Sequence, residues 1–311
     1  MKKFVIIADS NCDLEEELQK QYDIEVIPGH AVLPDNTEVL TYPKWDVFTQ
    51  EDFYAALKKN PDGFKTAPSN VAEFLEAFEK AAKEGCDVLC ITISTALSGT
   101  CNFARQAATQ AEKNYPGTVV KVVDSSRFGP GFGLMVVHAS LQRESGKSLE
   151  ETVEWLEDNK NRFHQGGWLD DLSFVAKKGR MTNAKAFFGT LVGIKPIGEF
   201  DKNGMTTVIG KIKGAKKGYS VVLSYIKETI DNPEEQTIFI AQSNRMAQAE
   251  KFKELIEAEI HPKEVIIKDV HMSCGINVGP GLMAAYYMGK PISDDLETER
   301  ALIEKFDAET K

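Results

Sequence analysis

Three short stretches of this chain place hydroxyls and small residues where an apolar run meets a helical one. Leu97-Ser98-Gly99-Thr100 follows the apolar stretch around Cys90–Ile93, Asp124-Ser125-Ser126 follows Lys121-Val122-Val123, and Thr66-Ala67-Pro68-Ser69 precedes a helical stretch. A helix start offers unpaired backbone N–H groups and the positive end of the helix dipole, so hydroxyls gathered there suit an anion. The same residue types are ordinary helix caps, and the spacing is equally compatible with that task. Asp9-Ser10-Asn11-Cys12-Asp13 ends the first apolar run, a position where open parallel sheets bind ligands; it also fits an Asx turn with a cap. These loops are framed by apolar sequence and contain no acid–base pair. The combination points to a ligand with a carboxylate head and a hydrophobic body.

Other chemistries lack their residues. Ser98 is not framed as Gly-x-Ser-x-Gly, the strained elbow of a hydrolase serine. Gly129-Pro130-Gly131-Phe132-Gly133 and Gly279-Pro280-Gly281 lack the lysine and hydroxyl of a phosphate loop, and suit close backbone approach or tight turns. The five histidines show no metal-ligand spacing, and His271, near Asn277, is the one at a strand end. No catalytic residue, metal or cofactor is therefore expected.

The chain has 311 residues, 42% of them apolar and 27% charged, with a formal charge of −10. That length accommodates two domains with separate cores, and the negative charge disfavours nucleic acid and anionic membrane surfaces as partners. No run approaches the roughly 20 apolar residues of a spanning helix. Met1–Asp9 reads as a first strand, not a signal peptide. Five cysteines without a CxxC pair suit a reducing compartment, so a cytoplasmic location is expected.

The elements that must position the polar loops alternate between strand and helix. Phe4–Ala8, Ile24–Ile27, Val88–Ile93 and Val119–Val123 read as strands buried on both faces. Val71–Glu84 reads as a helix with Phe74, Ala77, Phe78 and Ala81 on one face and Gly85 at its end. Helices over Pro130–Glu144 and Leu149–Asn161 close a first unit, in which residues 28–48 form a small extended excursion. A second unit begins near Gly166-Gly167, with a helix at Ala184–Val192 and strands Lys195–Phe200 and Thr206–Lys213 joined at Asn203-Gly204. Helix Lys217–Thr229, strand Thr237–Gln242, helix Met246–Ile260 and strand Val265–Val270 follow. The fold class is α/β, with two α/β domains at 1–165 and 166–311. The sheet of the first is mainly parallel, and the ligand cleft is expected between them.

Taken together and in order, these pieces resemble the DegV family, the fatty-acid-binding components of bacterial fatty acid kinase. Asp9-Ser10-Asn11-Cys12-Asp13-Leu14 is similar to the family's opening D-S-x-x-D-L, and Lys65-Thr66-Ala67-Pro68-Ser69 to its T-S-Q-P-S segment in the threonine register. Leu97-Ser98-Gly99-Thr100 matches its most specific motif and Val123-Asp124-Ser125 the next. Leu169-Asp170-Asp171-Leu172 through Lys178-Gly179-Arg180, Lys195-Pro196-Ile197 and Gly279-Pro280-Gly281 match its later segments. The second glycine of the family's K-G-G-R is absent, and Asn277 replaces a histidine two residues before G-P-G. An amide can donate to a carboxylate but carries no charge.

The resemblance implies a non-catalytic carrier. A fatty acid would lie with its tail buried and its carboxylate near Thr66 and Ser98, to be phosphorylated by a separate ATP-dependent kinase. Gly99, Thr100, Asp9, Ser10, Ser125 and Asn277 complete the expected head-group region. Candidate tail-lining residues are Phe103, Phe128, Phe132, Phe187 and Phe188, with Leu191, Leu282 and Met283; ordinary core packing is the alternative for each. Lys177, Lys178 and Arg180 are expected to dock the kinase, or else to be plain solvated surface. Two rival functions are a phosphotransfer or acyl-transfer enzyme, and a carrier of another small carboxylate or ketone.

Overall fold

The computed structural model describes residues 3–183 and 193–310, so the expected helix at Ala184–Val192, with Phe187, Phe188 and Leu191, lies outside the described residues. The chain forms two compact units. The first takes Met1–Asp46, Asp62–Lys160 and His271–Cys274; the second takes Val47–Pro61, Asn161–Val270 and Gly275–Lys311. This differs from one cut at 165/166, because each unit borrows a short segment from the other's stretch of sequence.

The first unit contains β1 (Phe4–Asp9), α1 (Glu16–Gln21), β2 (Ile24–Ile27), β3 (Gly29–Val32) and β4 (Glu38–Thr41). After α2 (Gln50–Lys59), which belongs to the second unit, come β5 (Lys65–Ala67), α3 (Val71–Lys83), β6 (Asp87–Thr92), α4 (Thr100–Asn114), β7 (Val120–Asp124), α5 (Gly129–Glu144) and α6 (Leu149–Asn159). Strands β2-β1-β6-β7 form a parallel sheet in that order. Every residue of β6 is buried, as its uninterrupted apolar run requires. The excursion supplies β3 and β4 of a small antiparallel sheet, β4-β3-β5, which β5 completes from outside it.

Helix α3 turns Phe74, Ala77, Phe78 and Ala81 inward. Neither Thr66 nor Ser69 caps it: Asn70 does, in a reciprocal box with Glu73. Thr66 lies on β5, and Ser69 Oγ donates to the Pro28 carbonyl at 2.7 Å. At its far end Gly85 adopts φ +74° while Cys86 N–H reaches back to Ala81 O at 3.0 Å. Helix α5 is buried almost throughout, and a side chain at Gly133 would collide with the Cys12 carbonyl. That contact packs α5 directly against the turn after β1.

The second unit continues with β8 (Phe163–Leu169), α7 (Ser173–Lys178), β9 (Ile194–Phe200), β10 (Thr206–Lys213), α8 (Ala215–Thr229), β11 (Thr237–Gln242) and α9 (Met246–Ile260). It ends with β12 (Glu264–Asp269), α10 (Met272–Val278), whose residues up to Cys274 fall in the first unit, β13 (Leu282–Met288) and α11 (Glu297–Glu309). Its sheet runs β10-β9-β8-β13-β11-β12, antiparallel except for β11 beside β12. Gly166-Gly167 is the middle of β8 and not a domain start. A Cβ at Gly167 would strike Met283 O and Ala284, so the glycine is what lets β13 approach. The Asp201–Gly204 turn joins β9 to β10 as read from the Asn-Gly pair, with Gly204 at φ +79°.

This unit buries one carboxylate completely. Glu199 accepts from Gln165 N–H (2.8 Å), Phe200 N–H (2.7 Å) and Tyr225 OH (2.8 Å), and lies 2.9 Å from His164 Nδ1. Four partners meet a group that could not otherwise leave water.

In the first unit, half-buried His138 of α5 stacks on Trp155 of α6 at 5.7 Å between ring centres. Burial pushes its pKa from 6.5 down to about 4. Between those values the unfolded chain holds a proton that the folded chain refuses. Stability from this group is therefore full above pH 6.5 and is lost as pH falls toward 4. The loss is on the order of 2 to 3 kcal/mol. His138→Phe, which keeps a ring on Trp155, should flatten the acid side of the stability–pH curve by that amount in urea titrations; an unchanged slope would contradict this assignment.

Candidate functional site

In the parallel sheet the chain leaves β1 toward β2 on one side and later returns as β6 on the other. The loops after β1 and β6 therefore diverge at the carboxyl ends of neighbouring strands, which opens a crevice of the kind that binds ligands in such sheets. Asp9, the last residue of β1 and 1% exposed, spans that point. It accepts from Ile93 N–H at 2.8 Å across the switch, and from Asn11 N–H (3.0 Å) and Asn11 Nδ2 (2.6 Å) in its own turn. Burial raises its pKa above the ordinary carboxylate value, and the N–H groups of Ile93 and Asn11 oppose that rise. Asp13 closes the turn at φ +50°; its Oδ1 accepts from His271 N–H at 3.0 Å and lies 3.3 Å from His271 Nδ1.

The loop after β6 carries the hydroxyl pair. Leu97 N–H and Ser98 N–H both return to Ser94 O, at 3.0 and 3.2 Å. Ser98 Oγ and Thr100 Oγ1 are 2.8 Å apart, with Thr100 N–H 3.4 Å from Ser98 Oγ. Ser98 is half-buried, Gly99 exposed and Thr100 buried. No acidic residue stands in the first turn of α4, and its N-cap, Gly99, contributes no side-chain bond. Two hydroxyls share one hydrogen bond, which leaves the second proton to donate outward. A neutral donor at the start of a 15-residue helix suits a carboxylate oxygen.

Asp9, Ser10 and Ser125 are buried with polar atoms satisfied inside the fold. Gly29 N–H donates to Ser10 Oγ at 3.0 Å, Ser10 Oγ lies 2.8 Å from Ser273 Oγ, and Ser273 Oγ donates to Thr41 Oγ1 at 2.8 Å. A Cβ at Gly29 would press on both the Ser10 and Thr41 hydroxyls. Ser125 Oγ donates to Arg127 O and accepts from Arg127 N–H, each at 3.0 Å. Thr66 is exposed on β5, opposite Ala31 of β3, on a different sheet of the same unit from the one whose loop carries Ser98. Phe103 packs partly buried against the core around Phe74 and Phe78, and Phe128 stands half-buried before α5. Phe132 is fully buried within α5.

In the second unit, Asn277 is half-buried on α10. Lys177 and Lys178 end α7, which Gly179 terminates at φ +68° with Arg180 N–H donating to Val175 O at 2.9 Å. Lys177 and Arg180 are exposed and Lys178 is half-buried. Asp170 pairs with Lys195 and with Arg245 Nε (3.0 Å), and its N–H donates to Gly281 O at 3.1 Å. Three of the sequence motifs thus meet at one residue, Lys195 at its carboxylate and Gly281 at its backbone N–H. Leu282 and Met283 are buried in β13.

The family model for DegV, described as "Uncharacterised protein, DegV family", matches residues 3–290. The chain belongs to the DegV family. A DegV domain-containing protein of Clostridium perfringens is 34% identical over 291 residues, covering 93% of this chain and 98% of that protein. Among solved structures, a fatty-acid-binding DegV family protein from Thermus thermophilus aligns with a TM-score of 0.82 at 24% identity, over 93% of this chain and all of that one (100%). The Streptococcus pneumoniae fatty acid kinase B3 protein loaded with linoleic acid aligns at 0.77 and 20%, with coverage of 93% and 100%. These two likenesses establish the shared DegV fold. Among the described residues no helix is long and apolar enough to cross a membrane.

Thr41 and Ser273 carried no local signal in the sequence, yet they complete the Ser10 hydroxyl chain. Ser273→Ala leaves the Ser10 hydroxyl without its buried acceptor and should lower stability by about 1–3 kcal/mol. Chemical denaturation reads this directly, and a variant as stable as the parent would show that the chain of hydroxyls is dispensable.

Proposed function

We propose that this DegV chain binds a long-chain fatty acid, holds its carboxylate at the Ser98–Thr100 loop, and presents it to a separate ATP-dependent kinase. The kinase transfers a phosphoryl group to the carboxylate oxygen and releases an acyl phosphate. The carrier contributes no catalytic group and no cofactor, and acts in the cytoplasm. One observation carries the reading: a hydroxyl pair 2.8 Å apart heads a helix at the carboxyl end of a parallel sheet. It occurs in a chain that shares its fold, over 93% of its length, with the Streptococcus pneumoniae fatty acid kinase B3 protein loaded with linoleic acid.

The energetics fit an amphiphile. Each buried methylene contributes roughly 0.8 kcal/mol, so a chain of about sixteen carbons offers on the order of 12 kcal/mol gross. The tail can supply affinity while neutral donors satisfy the head. Thr66 and the backbone at Gly99 and Thr100 are the further proposed donors. Phe103 and Phe128 are the proposed tail contacts among the described residues, and Phe187 is a third in sequence. Asp9, Ser10 and Ser125 serve by holding the loops.

Native mass spectrometry of the purified chain separates this reading from its rivals. A co-purifying fatty acid supports it, whereas bound nucleotide would favour a phosphotransfer enzyme. Ser98→Ala and Thr66→Ala should each weaken fatty acid binding by about 1.5–3 kcal/mol, roughly ten- to hundredfold, without unfolding the chain. Unchanged affinity in both folded variants would remove these hydroxyls from the head-group role.

The basic turn gives a second test. Lys177, Lys178 and Arg180 are proposed to steer the kinase, since charges at a rim speed encounter more than they add affinity. Replacing all three with Gln should leave fatty acid binding intact and slow phosphorylation, with the gap closing as salt rises. Loss of lipid binding would instead place the turn at the ligand, and full-rate phosphorylation at low salt would make it plain surface.

A further inference from the structure

We infer that Asp124 is a positioning residue for carboxylate binding, acting through Thr95 to fix the turn that aims the Ser98 hydroxyl. The inference rests on the head-group role of Ser98 proposed above. Asp124 is the last residue of β7, and both its oxygens face the loop after β6. Thr95 Oγ1 donates to Asp124 Oδ2 at 2.6 Å, and Thr95 N–H lies 3.3 Å from each carboxylate oxygen. Asp124 Oδ1 also accepts from Ser126 N–H at 2.8 Å, with Ser126 in the left-handed region at φ +51°. That turn delivers Arg127 O to Ser94 N–H at 3.0 Å.

Two consecutive residues, Ser94 and Thr95, are therefore pinned to the end of β7. The next bonds in the loop, Leu97 N–H and Ser98 N–H to Ser94 O, are built on that pinned pair. Thr95 itself is exposed. Its order thus comes from the carboxylate, not from burial. The small polar residues of Asp124-Ser125-Ser126 are explained as the far jaw of a clamp on the hydroxyl loop.

Charge supplies the discriminating sign. A carboxylate beside an anion-binding loop repels the ligand's head group, so removing it by electrostatics alone should tighten binding. A loss of affinity on removing Asp124 can come only through geometry. Thr95 gives the same test without a change of charge.

The experiment measures palmitate and methyl palmitate against the full chain by displacement of a fluorescent fatty acid. Asp124→Ala and Thr95→Val should each weaken palmitate about tenfold, with methyl palmitate within about twofold of the parent. The double variant should be no weaker than either single one, because both break the same contact. Thr95→Ser retains the hydroxyl and should restore parental binding, and Asp124→Asn, which keeps one acceptor oxygen, should fall between Ala and the parent. Palmitate bound as tightly as by the parent, or more tightly, in Asp124→Ala overturns the inference. Equal loss of acid and ester also overturns it, since that reports general loosening. If Ser98→Ala also leaves palmitate unaffected, the head-group reading has failed first and takes this inference with it; a weakened Ser98→Ala beside a silent Asp124→Ala rejects the clamp alone.

Discussion

A carboxylate withdrawn from water costs several kcal/mol unless donors replace its hydration. In the first unit that exchange is made at Asp9, where Ile93 N–H and two N–H groups of Asn11 converge. The Ile93 bond ties the end of β1 to the end of β6 at the point where their loops part, and the two Asn11 bonds hold Asp9 in its own turn. Ile93 has no strand neighbour to receive its N–H there, so Asp9 supplies the acceptor that the sheet cannot. The loop beyond Ile93, with the turn at Ser94 and the hydroxyls at 98 and 100, starts from that anchor and is held again at the end of β7 by Arg127 O and Asp124. Helix α5 presses on the adjoining turn through the bare backbone of Gly133, and Asp13 holds His271 from the same turn.

Much of the scaffold was legible in the sequence because its signals are local. Uninterrupted apolar runs gave the parallel strands, the spacing of Phe74, Ala77, Phe78 and Ala81 gave α3, and Asn203-Gly204 gave a hairpin. The misreadings fall where distant contacts decide. Gly166-Gly167 reads as the start of a unit until β13 is laid beside it, and then only glycine fits at 167. Asn70 outcompetes Thr66 and Ser69 as a cap because β5 and the Pro28 carbonyl have already engaged those two. At the site, Ser98 and Thr100 were visible as a motif. The partners of Ser10 and Thr95 were not: Ser273 stands 263 positions from Ser10, and Asp124 stands 29 from Thr95.

The hydroxyl loop also suits the chain's overall charge. With a formal charge of −10 the protein does not draw anions from a distance. Recognition of a carboxylate by neutral donors is short-ranged, and salt screens it far less than it would an ion pair between exposed groups. On the proposed function, such a head group would contribute selectivity for an acid over its ester, while apolar burial would contribute most of the free energy.

The first unit is not a continuous piece of chain: it closes with His271–Cys274, more than a hundred residues after Lys160. His271 and Ser273 are the groups that meet Asp13 and Ser10. During synthesis the amino-terminal unit can collapse early, but it cannot finish these two contacts until residue 274 has left the ribosome. A growing chain therefore spends most of its elongation with the turn after β1 unfinished, since domains that fold during translation do so from the amino terminus. Gene fusions or truncations that sever the chain after Lys160 would meet the same gap permanently, whatever the quality of the parallel sheet itself.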